Sequence, residues 1–340
     1  MTQENNDLDS LLNRMRTVSS PIRGTLTEIH TSLKGMSHGR VADYIPELAS
    51  ADPNWFGIAI TGVDGNTVEV GDSAQPFSIQ SASKPFVYGL ALDSHGRDHV
   101  LSKVNVEPSG EAFNSIVLDQ STNRPFNPLV NSGAIATTDL IPGASHVDRI
   151  KNLLSKLEQY VGRTLHVDNA TFISERSTGH RNRAIAHLML NFGMIEDRVE
   201  ETLELYFQQC AVLVNCKDLS VMAATLANGG VNPVTGVRAI QSEYLKDLLS
   251  IMLACGMYDY AGQWGYLVGL PAKSSVSGAV LAVVPGKFGI AVYSPPLDER
   301  GNSVRGVATC RALSERFGLH VLDAHFVGSS LDNEFRPSRG

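Results

Sequence analysis

The segment PFSIQSASKPF, residues 76–86, decides how the rest of the chain is read. A short lead-in of alternating apolar and polar residues reaches Ser81, and Lys84 follows three positions later. A helix beginning at Gln80 or Ser81 sets those two side chains on one face, one turn apart. An amine able to lose its proton then stands beside a hydroxyl, which is how a weak oxygen nucleophile is activated. The backbone N–H of Ser81, at the helix start, points toward any charge forming on an oxygen there. This is the S-x-x-K device of serine acyl-transfer enzymes. A pattern with two fixed positions also recurs by chance, and its ordinary reading is a pair of solvated helix residues.

The surroundings favour the chemical reading. Residues 55–61, WFGIAIT, read as a buried strand, Val63-Asp64-Gly65-Asn66 as a hairpin turn and Thr67–Val70 as the return strand. A second hairpin lies near the other end: Ser277–Val284 and Gly289–Ser294, joined by Pro285-Gly286-Lys287-Phe288. Between the two, the stretch 145–255 is mostly helical. Ser145 with Asp148 makes a capping start, and Val147, Ile150, Leu154, Leu157 and Val161 keep a helical period. Further helices read at His180–Phe192, Val199–Leu213, Leu219–Ala227 and Ser242–Ala254, and a last one at Ser303–Phe317. Near the start, Leu8, Leu11, Leu12 and Met15 mark a short amphipathic helix that Pro21 is expected to stop.

The economical assembly is an α/β chain of the α+β type. The two terminal hairpins make one antiparallel sheet, helices flank it, and the helical middle region packs alongside. The expected division is a tail and short helix over 1–20, one catalytic unit over 21–326 with the helical part at about 145–255 inserted in it, and a loose tail over 327–340.

Composition sets the outer limits. The chain has 340 residues, enough for a large core, with 43% hydrophobic and 19% charged residues, an ordinary globular balance. Its net charge of −7 leaves no basic stripe for neutralising phosphates, so no nucleic-acid partner is expected. Cys210, Cys216, Cys255 and Cys310 are scattered without metal-ligand or disulfide spacing, as expected of reduced thiols. The opening MTQENNDLDS lacks the charged and apolar parts of a signal peptide, and no apolar run reaches membrane-spanning length. A cytoplasmic protein without a membrane partner is the expectation.

A second chemical signal is LPAKSSVSG, residues 270–278. In S-x-x-K hydrolases a K-[ST]-G strand edges the active site opposite the nucleophile. Lys273 and Ser274 fit the first two positions and Ser275 departs from the third. A strand edge here offers a backbone N–H that joins the one from Ser81 in a two-donor oxyanion hole; the competing reading is a turn of small polar residues. Asn131 is either a polar wall residue of such a site or a turn former in its proline-rich loop. His95 with His99, and His180 with His187, lie at helical spacings without the third ligand a metal needs. No G-x-S-x-G, Walker or G-x-G-x-x-G pattern occurs, so a reaction without metal or cofactor is expected.

The runs VADYIPELA, PFSIQSASKPF, FNPLVNSGAI, SERSTGHRNRAIA and GMYDYAGQWGYLVGLPAKSSVSG, spread in that order from about Tyr44 to Leu281, resemble the serine-dependent glutaminase family. The resemblance implies a β-lactamase-like fold and hydrolysis of L-glutamine to L-glutamate and ammonia through a serine-linked acyl-enzyme, with no cofactor. Position by position, it implies Ser81 as nucleophile, Lys84 as its base, and Tyr44 and Tyr258 as active-site tyrosines that help proton transfer. Asn131, Glu175 and Asn182 match residues holding the substrate's amino and carboxylate ends, and Tyr206 matches a further binding tyrosine. Val276 matches the residue whose N–H completes the oxyanion hole. The family also implies a homodimer or homotetramer.

Two positions depart from the family pattern. Ser275 stands where glycine is usual, and a side chain there is expected to crowd the oxyanion strand. Ala82 stands where a larger residue is common, which is expected to loosen packing behind the nucleophile. Two bottom-up expectations join these. A lysine base must be neutral, so Lys84 should be desolvated or near other cations, with its pKa lowered. Glu175, without the resemblance, reads as one more surface acid. The alternatives are another Ser-x-x-Lys amidase or esterase of the penicillin-recognising fold, and a catalytically silent scaffold. Glu175, Asn182 and Tyr206 suit a zwitterionic amino acid and oppose the first; retention of both Ser81 and Lys84 opposes the second.

Overall fold

The computed structural model describes residues 21–110 and 114–323. The expected helix at Leu8–Met15, the tail at 327–340 and the boundaries at 20 and 327 lie outside them.

The described residues hold seven strands: β1 Gly57–Gly62, β2 Thr67–Gly71, β3 Phe77–Ser78, β4 Leu213–Val214, β5 Ala272–Ser274, β6 Ala279–Val284 and β7 Phe288–Tyr293. Five form one antiparallel sheet in the order β2-β1-β7-β6-β5, and β3 pairs with β4 in a small second sheet. The two hairpins read from the sequence are thus joined edge to edge. Strand β1 pairs with β7 from Gly57↔Tyr293 to Gly62↔Phe288, across more than two hundred residues of chain. Strand β6 begins two residues later than expected, because Ser275–Gly278 form a tight turn closed by Gly278 N–H donating to Ser275 O at 3.0 Å. The short strand β5 before that turn carries Lys273 and Ser274, the first two positions of the expected K-[ST]-G strand edge.

The side chains of the central strands alternate between two cores, as the period of two requires. Ala59, Ala279, Leu281, Val283, Ala291 and Tyr293 face one core; Ile58, Ile60, Val280, Ala282, Val284, Ile290 and Val292 face the other. Both faces are therefore covered, which is why SGAVLAVV reads as a continuous apolar run.

The helices are α1 Pro21–Leu33, α2 Pro46–Ala49, α3 Lys84–His95, α4 Arg97–Lys103, α5 Asn131–Asp139, α6 His146–Val161, α7 Asn169–Thr178, α8 His180–Asn191, α9 Val199–Cys210, α10 Cys216–Ala227, α11 Leu245–Cys255, α12 Ala261–Leu267 and α13 Val304–Phe317. Pro21 opens α1, since proline is favoured at a first helical position, where its missing N–H has no partner to lose; the helix it is expected to stop lies outside the described residues. Helix α9 stops at Cys210 and the chain passes into β4, earlier than its apolar period suggested. The remaining expected helices differ by a few residues at their ends.

Helix α10 is buried at every position but Lys217 and lies directly on the sheet. Its start is a capping box: Asn215 accepts from Asp218 N–H, and the Asp218 carboxylate accepts from Asn215 N–H. Its close approach depends on Gly289 of β7. A Cβ there would sit 2.2 Å from Ala224 N and 2.4 Å from Ser220 O. On the opposite face α1, α12 and α13 supply Leu26, Ile29, Trp264, Cys310 and Leu313 to the second core. A third cluster, built by α5, α8 and α9, forms the helical body beside the sheet.

Candidate active site

Strand β3 delivers the chain into a turn at residues 79–82, closed by Ala82 N–H donating to Ile79 O at 3.0 Å. Gln80 and Ser81 are its two central residues. Gln80 takes φ 48°, a left-handed conformation that costs a non-glycine residue roughly 1–2 kcal/mol. A 3₁₀ turn over Gln80–Ser83 then feeds α3 without a break, so Ser81 and Lys84 come one turn apart on one face, as the spacing predicts. The solvated-pair reading is excluded: Ser81 is buried and Lys84 has no exposed surface.

The Lys84 amine is surrounded by neutral acceptors. It donates to Asn131 Oδ1 at 2.7 Å and to Leu129 O at 3.3 Å. Burial lowers its pKa to about 8, against smaller opposing effects of Cys210 and Glu175. Desolvation, one of the two causes expected from sequence, is the main one. Asn131 opens α5 and is not a turn residue. The loop before it is shaped by Asn127, whose Oδ1 accepts from the N–H groups of Leu129 and Val130 at 3.0 and 3.2 Å. Gly133 lets that loop lie against the helix, since a Cβ there would sit 1.9 Å from Asn127 O. The other end of the Asn131 amide donates to Asn182 Oδ1, 3.1 Å away in the first turn of α8.

Glu175 corrects the surface reading. Thr171 and Glu175, four apart on α7, are that helix's two buried residues, so the one face that turns inward carries the carboxylate. Glu175 Oε1 accepts from Tyr44 Oη at 2.9 Å and from Gln80 Nε2 at 3.0 Å. Burial raises the Glu175 pKa, and the two hydrogen bonds oppose that rise. Tyr44 is 47% exposed at the cavity rim, with its hydroxyl turned inward. Burial of that hydroxyl and the charge of Glu175 push its pKa well up. The structure thus sets Tyr44 on Glu175.

Tyr258 lies in a 3₁₀ turn at residues 258–260, with φ 56°. Its pKa is raised by burial, while a hydrogen bond with the Ser81 side chain acts the other way. The hydroxyl also donates to Ser274 O at 3.2 Å. The amine of Lys273 lies 4.2 Å from the centre of the Tyr258 ring. That second lysine is fully buried and donates to Gly256 O and Ser274 O; burial, then the charge of Lys84, hold its pKa well below the ordinary value. Val276 sits in the turn between β5 and β6, just beyond the strand edge where the sequence put its oxyanion donor.

Ser81, Tyr44, Asn131, Glu175, Asn182, Tyr206 and Val276 all line one cavity of about 370 Å³. Lys84 and Tyr258 do not line it: Lys84 reaches the wall residue Asn131, and Tyr258, hydrogen-bonded with Ser81, lines a second cavity of about 340 Å³. Tyr206 and Cys210, four apart on α9, present one face to the first cavity and are hydrogen-bonded to each other. All four cysteines are free and buried. Sequence reasoning missed several wall residues, Gln80, Cys210 and Arg181 among them. Gln80 had a signal, its position immediately before the nucleophile; the other two had none. His95 and His99 stack on each other away from this cavity, and His95 Nε2 bonds with Leu140 O at 2.7 Å. Among the described residues no cluster of three or more His, Cys, Asp or Glu side chains is placed to hold a metal ion, and no helix is long and apolar enough to cross a membrane.

The comparisons with known proteins agree. The glutaminase family model matches residues 39–322. A glutaminase of Nostoc sp. is 58% identical over 310 residues, covering 91% of this chain and 93% of its own length. One from Trichormus variabilis is 60% identical over 304 residues, covering 89% and 91%. Among solved structures, the probable glutaminase ybaS superposes with a TM-score of 0.86 at 39% identity, covering 88% of this chain and 98% of that one. A probable glutaminase of Bacillus subtilis gives 0.81 at 33% identity, covering 87% and 96%. The architecture is the β-lactamase-like one that the sequence implied.

Proposed function

The chain belongs to the glutaminase family, and from that premise we propose that it hydrolyses L-glutamine to L-glutamate and ammonia through an ester on Ser81. The observation that carries the mechanism is a fully buried Lys84 amine with a pKa lowered to about 8, one turn from a buried serine at the floor of a cavity walled by one carboxylate. At pH 7 about one such amine in ten is neutral. That is enough for general-base work, because a base is most effective when its pKa is near the working pH.

In the proposed reaction Ser81 Oγ attacks the side-chain carboxamide carbon. Its proton passes to the Lys84 amine, with the Tyr258 hydroxyl as relay. The carbonyl oxygen becomes an oxyanion held by the N–H groups of Ser81 and Val276; losing one such donor typically costs ~10²–10³ in rate. Collapse of the tetrahedral adduct breaks the C–N bond, and the proton held by Lys84 goes to the departing nitrogen as ammonia. Water then adds to the ester, its proton is taken by the same amine, and Ser81 Oγ recovers a proton as glutamate leaves. Glu175 faces the substrate ammonium, with Tyr44 and Gln80 fixing its orientation. Asn131, Asn182 and Tyr206 hold the carboxylate end.

The catalytic unit is proposed to extend over residues 21–326, since the cavity draws walls from both the sheet-forming ends and the helical middle. Four free thiols suit a reducing compartment, and a cytoplasmic homodimer or homotetramer is the proposed working form. The test is ammonia release from glutamine, asparagine and γ-glutamyl peptides by the intact protein and by Ser81→Ala. Loss of release in the variant, with a transient adduct of about 129 Da on the intact protein, is expected. Equal release by both removes the nucleophile assignment, and release from asparagine but not glutamine moves the substrate.

A further inference from the structure

The two donors of the proposed oxyanion hole come from elements nearly two hundred residues apart: the turn at residues 79–82 and the turn at Ser275–Gly278. Their separation sets how well an oxyanion fits between them, so whatever ties one turn to the other bears on the rate.

One side chain makes that tie. Ser275 has no exposed surface, and its hydroxyl donates to Ile79 O at 3.0 Å. Ile79 O is the same carbonyl that closes the nucleophile turn by accepting from Ala82 N–H, also at 3.0 Å. The proton inventory is complete. A hydroxyl has one proton and two lone pairs, and a carbonyl only accepts, so the Ser275 proton goes to Ile79. The bond of 2.9 Å between Ser275 Oγ and Ser277 Oγ must then run from Ser277 to Ser275. On the backbone, Ser275 N–H donates to Ala279 O at 2.8 Å and Ser275 O accepts from Gly278 N–H at 3.0 Å. The side chain is thus built into its own turn while gripping the opposite one.

We propose that Ser275 is a positioning residue that fixes the distance between the Ser81 and Val276 N–H groups by holding the carbonyl of Ile79. The crowding expected from a side chain at this position is replaced by a hydrogen bond to the turn that carries Ser81. Gln80 adds to the need for a tie. It is held left-handed inside the gripped turn, a conformation that persists only when its surroundings impose it. A turn freed at Ile79 has a route to relax, and the Ser81 N–H moves with it.

The inference rests on the serine mechanism proposed above, and the experiment separates the two. Ser275→Ala, Ser275→Gly, Ser277→Ala and Ser81→Ala are compared with the parent protein in steady-state glutamine hydrolysis, with thermal unfolding as a check on folding. Ser275→Ala and Ser275→Gly are expected to lower kcat about 10-fold with KM within about two-fold, because the tie serves the transition state and not the ground state. Ser277→Ala keeps the grip on Ile79 and is expected to retain kcat within about three-fold. Folded Ser275 variants with unchanged kcat overturn the proposal, as does an equal loss in Ser277→Ala. Should Ser275→Ala not fold, Ser275→Gly decides alone, since it removes the same hydroxyl and adds no group to the core. Full activity in Ser81→Ala overturns the serine mechanism itself, whatever the Ser275 variants do.

Discussion

The Lys84 amine and the Asn131 side-chain oxygen lie 2.7 Å apart, a buried cation donor resting on a neutral amide. An amide accepts the hydrogen bond without stabilising the charge as a carboxylate does. This choice of partner leaves burial free to lower the lysine pKa. Asn131→Asp is therefore expected to raise it. The rising limb of kcat against pH should move alkaline by at least ~1 unit, with lower activity at neutral pH. A profile unmoved by this substitution would count against Lys84 as the base.

In the parent protein the sign runs the same way. The Lys84 pKa is lowered from its ordinary value to about 8, so the amine is charged and idle at pH 6 and free at pH 9. We predict that kcat rises with pH through about 8. Glu175 has its pKa raised by burial, so it loses its charge earlier than an exposed acid as pH falls. KM for glutamine should therefore climb on the acid side. The measurement is kcat and KM taken separately across pH, and a kcat that falls from pH 7 to pH 9 with the protein still folded contradicts the assignment.

Removing the Lys84 amine is a harsher test. Lys84→Met keeps the length of the buried stem and deletes the base, for an expected loss of ~10²–10⁴ in kcat. Survival of near-parent activity would transfer the role to another group, and Tyr258, which shares a hydrogen bond with Ser81, would be the first to examine.

Tyr44→Phe removes one of the two donors to Glu175 Oε1 and leaves Gln80 in place. A hydrogen bond to a charged group contributes about 1.5–3 kcal/mol, and the half-exposed ring argues for the lower end. KM is predicted to rise about 10-fold with a smaller change in kcat. The reverse pattern, kcat lost and KM kept, would place Tyr44 in proton transfer rather than in substrate recognition.

Much of this site was legible because its chemistry is local. Ser81 and Lys84 are three residues apart, and one helical turn brings them together without help from the rest of the fold. The hairpins were legible for a similar reason: Val63-Asp64-Gly65-Asn66 and Pro285-Gly286-Lys287 carry their turn chemistry in adjacent residues. What the local pattern missed depends on tertiary burial. Glu175 looks like any exposed acid until α7 is seen to turn only Thr171 and Glu175 inward. The tie between Ser275 and Ile79 had no sequence signature, because its two ends are 196 positions apart.

The sheet makes its own prediction. Gly289 allows the backbone of α10 to lie on β7, and a Cβ there meets main-chain atoms that cannot rotate away. Gly289→Ala is expected to destabilise the fold by ~1–3 kcal/mol, read from a denaturant melt. An unchanged midpoint would mean that the helix can shift outward at no cost.

The pairing of β1 with β7 has a consequence for biosynthesis. A ribosome releases residues 57–86 early, yet β1 has its central neighbour only once residues 288–293 have emerged. On the proposed mechanism the attacking Ser81 hydroxyl is made first, and the Val276 N–H that completes the oxyanion hole follows 195 positions later. A nascent chain therefore carries the proposed nucleophile about two hundred residues before it can complete the proposed site, and competence waits for Val276 and the strands that follow it.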